Sequence, residues 1–129
     1  MSKSTNDISE QIYMRLINKS EDYIEQHLSD PISLVDLAQN SNFSKFHFHR
    51  IFKKYSNITL KCFITRFKLE RAAIFISVNH AISITEVALS YGYSNISSFS
   101  RAFKQHFGSS PATYRKEQEV SRPHENSML

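Results

Sequence analysis

Four side chains in the first half of the chain, Phe46, His49, Arg50 and Lys53, recur at spacings of three and four. On a helix such spacings place them on one face. An aromatic ring, an imidazole and two cations pack poorly against a protein interior. The same groups suit gripping phosphates and reading base edges in a nucleic-acid groove. Fifty-one positions later the same places hold Ser97, Ser100, Arg101 and Lys104, so arginine and lysine return in register.

The recurrence belongs to a longer repeat. Ile32-Ser33-Leu34-Val35-Asp36-Leu37-Ala38 returns as Ile82-Ser83-Ile84-Thr85-Glu86-Val87-Ala88, and Phe48-His49-Arg50-Ile51-Phe52-Lys53 returns as Phe99-Ser100-Arg101-Ala102-Phe103-Lys104. The offset is fifty at first and fifty-one later, which requires one extra residue after Ser94. Two copies are too few for a solenoid and point to one small helical unit used twice. In each copy a serine with an acid three residues on starts a short helix, Ser33 with Asp36 and Ser83 with Glu86. Asn42 and Gly92 then occupy equivalent turn positions, and both tolerate left-handed backbone. Ser44 in one copy, and Ser94 or Asn95 in the other, caps a second helix. This is a helix-turn-helix plan, with Phe48, Ile51, Phe52 and Tyr55 as the core side of the helix that carries Phe46, His49, Arg50 and Lys53.

Around these units the remaining elements follow in order. Residues 1–6 are polar, and residues 1–8 are expected to be a disordered segment. Apolar residues at Ile12, Leu16, Ile17, Tyr23, Ile24 and Leu28 predict a first helix from Ile8 to Leu28, stopped by Ser29-Asp30-Pro31. The first helix-turn-helix subdomain thus covers 9–58. A connector helix over 59–79 starts at a Thr59 or Asn57 cap, and its apolar residues (Leu60, Phe63, Ile64, Phe67, Leu69, Ala73, Ile76) wrap more than one stripe. The second subdomain covers 80–117. Gly108 ends its long helix, and Ser110-Pro111 opens a last one. Residues 118–129 are expected to form a disordered tail. The fold class is all-α, two helix-turn-helix subdomains joined by a long connector helix, about seven helices in total.

Composition sets bounds on function. The chain has 129 residues, two glycines, three prolines and one cysteine, Cys62. So few breakers argue against a turn-rich β protein, and a lone cysteine forms no intrachain disulfide, which fits a reducing cytoplasm. No signal segment or apolar run of spanning length is present, so no membrane role is expected. Residues 1–31 carry three basic side chains against six acidic ones, whereas residues 43–116 carry twelve basic against two acidic. That asymmetry favours a polyanionic partner. His47 and His49 lie two apart on a helix and point to different sides, a poor pair of metal ligands. His80 and His106 read as structural. Cys62 reads as a small, partly buried apolar residue. No catalytic triad, paired carboxylates or glycine-rich phosphate loop has recognisable spacing, so neither an enzyme nor a cofactor is expected. His49 can be a base reader or an exposed surface residue. Phe46 can meet a thymine methyl or pack on a neighbouring helix.

The second unit, extended by Phe107-Gly108-Ser109-Ser110-Pro111-Ala112-Thr113-Tyr114-Arg115, resembles the signature of the AraC/XylS family of transcription regulators. The likeness covers residues 12–116 and is greatest to the stand-alone MarA, SoxS and Rob-like type. That resemblance implies a sequence-specific double-stranded-DNA-binding activator that works as a monomer with RNA polymerase and sets two recognition helices in successive major grooves. It implies base-reading roles for Phe46, His49 and Arg50 in the first unit, and for Ile96, Ser97, Ser98, Ser100 and Arg101 in the second. Ser44, Lys45, His47, Lys53, Lys54, Thr59, Asn95 and Lys104 are the matching DNA-backbone candidates. Phe46 replaces that type's tryptophan, His49 its glutamine, and Ile96-Ser97-Ser98 its Gln-Gln-Thr, so the DNA site should differ. Because short serines reach fewer bases, the first unit is expected to carry more of the specificity. No effector domain is expected in the short flanks, so control is expected to lie in how much protein is made or degraded, the alternative being a lost or separate effector domain that acts in trans. The alternative class is a helical interaction module that acts on RNA polymerase or another regulator without productive DNA binding.

Overall fold

The structure is a computed structural model that describes residues 2–120. Seven helices and no strand occur among these residues. They are α1 (Ser2–Gln26), α2 (Leu34–Asn40), α3 (Lys45–Tyr55), α4 (Leu60–Val78), α5 (Ile84–Ser90), α6 (Ile96–Phe107) and α7 (Pro111–Val120). The all-α class and the helix count match the expectation from the sequence.

Two ends differ from it. Residues 2–8 are helical, not disordered, because α1 begins at Ser2. No glycine or proline interrupts the chain between Ser2 and Gln26, so helix propagates through polar residues that carry no apolar period. At the other end α7 runs on to Val120, two turns past Tyr114, so residues 118–120 are not an irregular tail. The expected disorder of residues 121–129 lies outside the described residues.

The chain divides into two compact units, and the division falls inside α4, between Phe67 and Lys68. In the first unit, Leu16 and Ile24 of α1, Leu37 and Ala38 of α2, and Phe48, Ile51 and Phe52 of α3 form the buried cluster. Phe63, Ile64 and Phe67 from the start of α4 pack against it. Burying side chains of this size stabilises by about 1.5–3 kcal/mol each, which lets a small three-helix unit hold its shape. In the second unit the buried residues are Leu69, Ala72, Ala73 and Ile76 of α4, Val87 and Ala88 of α5, Tyr91, and Phe99 and Phe103 of α6. A chain of rings links its parts. Phe99 lies 5.7 Å from Phe103, Phe103 lies 4.5 Å from Phe107, and Tyr114 of α7 meets Phe103 edge-on at 5.4 Å. The two ends of α4 thus supply core residues to different units.

Cys62 departs from its expected partial burial and is exposed. With Leu60, Phe63, Ile64 and Phe67 turned to the first core, position 62 falls on the opposite side of α4.

Candidate nucleic-acid interface

Each unit builds its outer helix with the same local devices. Ser33 Oγ accepts the Asp36 amide at 3.2 Å while the Asp36 carboxylate accepts the Ser33 amide at 2.9 Å. Ser83 and Glu86 repeat the exchange at 3.1 and 3.4 Å. Reciprocal capping satisfies amides that a helix start leaves open, and loss of such a cap costs about 1 kcal/mol. The turns also correspond, with Asn42 at φ 61° and Gly92 at φ 89°. Phe43 then returns its amide to the Ala38 carbonyl at 2.9 Å, and Tyr93 returns its own to Ala88 at 3.0 Å. The chain is thereby turned into α3 and α6 through the same backbone hydrogen bond.

Caps come next. Ser44 Oγ accepts the His47 amide at 3.1 Å, and Asn95 Oδ1 accepts the Ser98 amide at 2.8 Å. Asn95 and not Ser94 is thus the cap of α6. Their acceptors are committed to the helix starts, yet the Ser44 hydroxyl proton and the Asn95 amide protons remain donors. Thr59 caps α4 in the same way, accepting the Cys62 amide at 3.1 Å.

On α3 the two faces separate cleanly. Phe48, Ile51 and Phe52 are buried, while Phe46, His49, Arg50 and Lys53 are exposed. Phe46 is 73% exposed, so it does not pack on a neighbouring helix. Its ring lies 5.8 Å from the Lys45 ammonium, a cation–π distance that steadies both side chains at the surface. Lys54 is exposed but lies 5.2 Å over the Tyr55 ring. His47 is half-buried, with its ring 4.8 Å from Phe43, so part of it belongs to the packing and only an edge is available outside. No carboxylate occurs anywhere on α3, so the fixed charges of its outer face, Arg50 and Lys53, are both cationic.

On α6 the outer face is exposed but thinner. Ile96, Ser97, Arg101 and Lys104 are exposed, and Ser98 and Ser100 are half-buried. Ile96 is 40% exposed, an apolar side chain at the first position of the helix. Phe99 and Phe103 below are wholly buried.

Two features had no local signal in the sequence. An open cleft of about 470 Å³ in the first unit is lined by His49, Phe52, Lys53, Ser56, Asn57, Ile58, Thr59 and Leu60. It joins the outer side of α3 to the loop ahead of α4. In the second unit, Arg115 of α7 donates from Nη2 to the Asn79 carbonyl at 3.2 Å and from Nε to Ile76 at 3.4 Å. It closes the end of α4 and is a scaffold residue. The two histidines read as structural do pair, His106 with Glu70 at 3.4 Å and His80 with Glu119 at 3.1 Å.

Among the described residues no group of histidine, cysteine or acidic side chains could hold a metal ion. None of the described helices is long and apolar enough to cross a membrane.

Comparison with known proteins agrees with this geometry. A helix-turn-helix domain family matches residues 37–117. The Msm operon regulatory protein of Streptococcus mutans is 32% identical over 101 residues, 78% of this chain and 36% of that protein. The transposon Tn10 TetD protein of Escherichia coli is 34% identical over 94 residues, 73% of this chain and 67% of that protein. Among solved structures, the DNA-binding domain of the global transcriptional factor AdpA, in complex with a target DNA, superposes with a TM-score of 0.69 at 22% identity. That match covers 86% of this chain and 96% of the AdpA domain. The chain spans between 35% and 44% of the length of three curated relatives it matches.

Proposed function

Because this chain belongs to the AraC-type helix-turn-helix family, we propose that it is a sequence-specific, double-stranded-DNA-binding transcription regulator. The observation that supports this reading most is the repeated outer face. Two capped helices each expose an arginine and, three residues on, a lysine, above a wholly buried phenylalanine pair or its near equivalent.

In this reading α3 and α6 are recognition helices. Phe46 and Arg50, with His49 beside them, are presented to the first major-groove segment, and Ile96, Ser97, Ser98, Ser100 and Arg101 to the second. Each arginine has the reach and the fork of donors to hold guanine O6 and N7, a contact worth about 1–3 kcal/mol of discrimination. Phe46 meets a thymine methyl. Ser44, Lys45, His47, Lys53, Lys54, Thr59, Asn95 and Lys104 hold the sugar-phosphate backbone and fix the register. A single molecule serves one site. Successive major grooves on one face recur about every 34 Å, so helices held closer than that bend the duplex to reach both. RNA polymerase is the protein partner implied by the family resemblance, activation is the outcome, and the cytoplasmic nucleoid is the place of action.

The test is selection of bound sequences from a random DNA pool. A defined motif that survives excess non-specific competitor, and whose affinity falls steeply with salt, is the expected result. Lys53→Ala should weaken all sequences alike, while Arg50→Ala relaxes one base position. Circularly permuted fragments should migrate differently if the site is bent. A chain that enriches no sequence and shows no salt dependence would leave the protein-interaction module as its role.

A further inference from the structure

The cleft beside α3 gives His49 a second neighbourhood. Apolar Phe52, Ile58 and Leu60 line it along with His49, Lys53, Ser56, Asn57 and Thr59. Ser56 is consumed locally, since its hydroxyl donates to the Ile58 carbonyl at 3.0 Å and accepts the Ile58 amide at 3.2 Å. Thr59 accepts the Cys62 amide but keeps its hydroxyl proton to donate. Lys53 supplies an ammonium, and His49 supplies one or two ring N–H groups according to its protonation.

Of the residues lining the cleft only His49 and Lys53 titrate. The charges next to His49 on α3 are Lys45, Arg50 and Lys54, and the titratable groups opening α4 are Lys61 and the Cys62 thiol. No carboxylate stands among them. An anion in the cleft supplies that missing partner.

We propose that a backbone phosphate of bound DNA seats in this cleft against Lys53 and a protonated His49, so that binding takes up one proton from solvent. The proposal rests on the DNA-binding reading and assigns His49 to phosphate instead of to a base edge. Imidazole is the side chain whose charge changes near neutral pH, and a state that binds an extra proton is favoured as pH falls. DNA affinity should therefore rise on acidification.

The repeat supplies an internal control. Carried by the offset of fifty-one, Thr59 corresponds to Ser110, which likewise caps its helix by accepting the Thr113 amide at 3.2 Å. Lys53 corresponds to Lys104, but His49 corresponds to Ser100, which cannot titrate in this range. Proton uptake should belong to the first half-site alone.

The experiment measures affinity of the full chain for its selected DNA between pH 6 and pH 8 at constant salt. Wild type should bind about fivefold tighter at pH 6 than at pH 8, within the tenfold per unit that one proton permits. His49→Gln, an exposed substitution that leaves the core untouched, should flatten this to under twofold and weaken all sequences alike at pH 6. His80→Gln, at a histidine outside both outer helices that pairs with Glu119, should keep the slope. Base changes under the first half-site that abolish its contact should also remove the slope, whereas changes under the second should not. A slope that survives in His49→Gln overturns the proposal. So does a His49→Gln protein whose preference relaxes at one base position, since His49 would then read a base. Failure to bind any sequence above competitor at every pH would instead remove the DNA-binding reading itself.

Discussion

The two units share a scaffold and differ on their outer surface, and the way they differ shows which constraints are structural. The capping boxes, the left-handed turn residue, and the buried pairs Phe48–Phe52 and Phe99–Phe103 recur. Between α3 and α6 the outer-face positions change from Phe46, His49, Arg50, Lys53 to Ser97, Ser100, Arg101, Lys104, keeping only the cations. Residues that hold the helix in place are therefore repeated, while those on its outer side vary around a constant arginine and lysine. The first unit offers bulk and an imidazole. The second offers short hydroxyls, two of them half-buried.

The largest expected effects test whether the scaffolds really are equivalent. Phe48 and Phe99 occupy the same repeat position and both are 0% exposed. Truncating either to alanine should cost about 3–5 kcal/mol, the usual range for a buried aromatic. Urea unfolding of Phe48→Ala and Phe99→Ala should give similar losses. A loss from one variant that is several times that from the other would mean that only one unit depends on its inner helix face.

Next come the arginines, where the comparison should break. If α3 and α6 read bases as proposed, Arg50→Ala and Arg101→Ala should each remove a guanine contact worth about 1–3 kcal/mol of discrimination. Beside Arg50 stands the large exposed ring of Phe46, and around Arg101 only serines and Ile96, so the first unit should supply more of the specificity. Swapping bases under each half-site in a competition assay reads this directly. Equal losses at the two half-sites would show that α6 reads as much as α3.

Most of this asymmetry was legible in the residues themselves. The repeat is visible by direct comparison of the two halves, and the caps, left-handed turn positions and two faces of α3 depend on spacings under eight residues, which helix geometry converts directly into neighbours. What escaped depends on distance along the chain or on the absence of a pattern. Arg115 serves carbonyls 36 and 39 residues away, so no local spacing announces it. The α3–α4 cleft needs the loop conformation at Ser56–Ile58 before its lining residues can be grouped. The early start of α1 lies in polar sequence, where an apolar period is missing although nothing forbids a helix. Cys62 was misplaced because two apolar stripes overlap on α4, and only the packing of Phe63, Ile64 and Phe67 shows which one faces the first core.

A smaller effect sharpens the comparison at the turns. Asn42 and Gly92 hold equivalent positive φ values of 61° and 89°. An alanine at either site meets the steric penalty of left-handed backbone, about 1 kcal/mol or slightly more. Gly92→Asn should be milder than Gly92→Ala, because asparagine already sustains this geometry at position 42. Thermal unfolding midpoints should fall in the order wild type, Gly92→Asn, Gly92→Ala. An inverted order would mean that the two turns are not interchangeable.

The smallest effect concerns the residue that follows each turn. Phe43 of the first unit corresponds to Tyr93 of the second, whose ring stacks edge-on against Phe99 at 5.3 Å. Burial pushes the Tyr93 phenol above its ordinary pKa, because the charged phenolate is poorly solvated there. The unfolded chain, with a phenol near 10, then releases its proton before the folded one does. Stability from this group is complete below that value and is lost as pH rises through the folded pKa. Tyr93→Phe copies the first unit into the second and removes this alkaline sensitivity. Unfolding midpoints followed from pH 8 to pH 11 should decline less in Tyr93→Phe than in wild type, with the other tyrosines contributing to both curves alike. Parallel declines would mean that the two post-turn rings sit in equivalent surroundings after all, and that the hydroxyl at position 93 costs the folded state nothing.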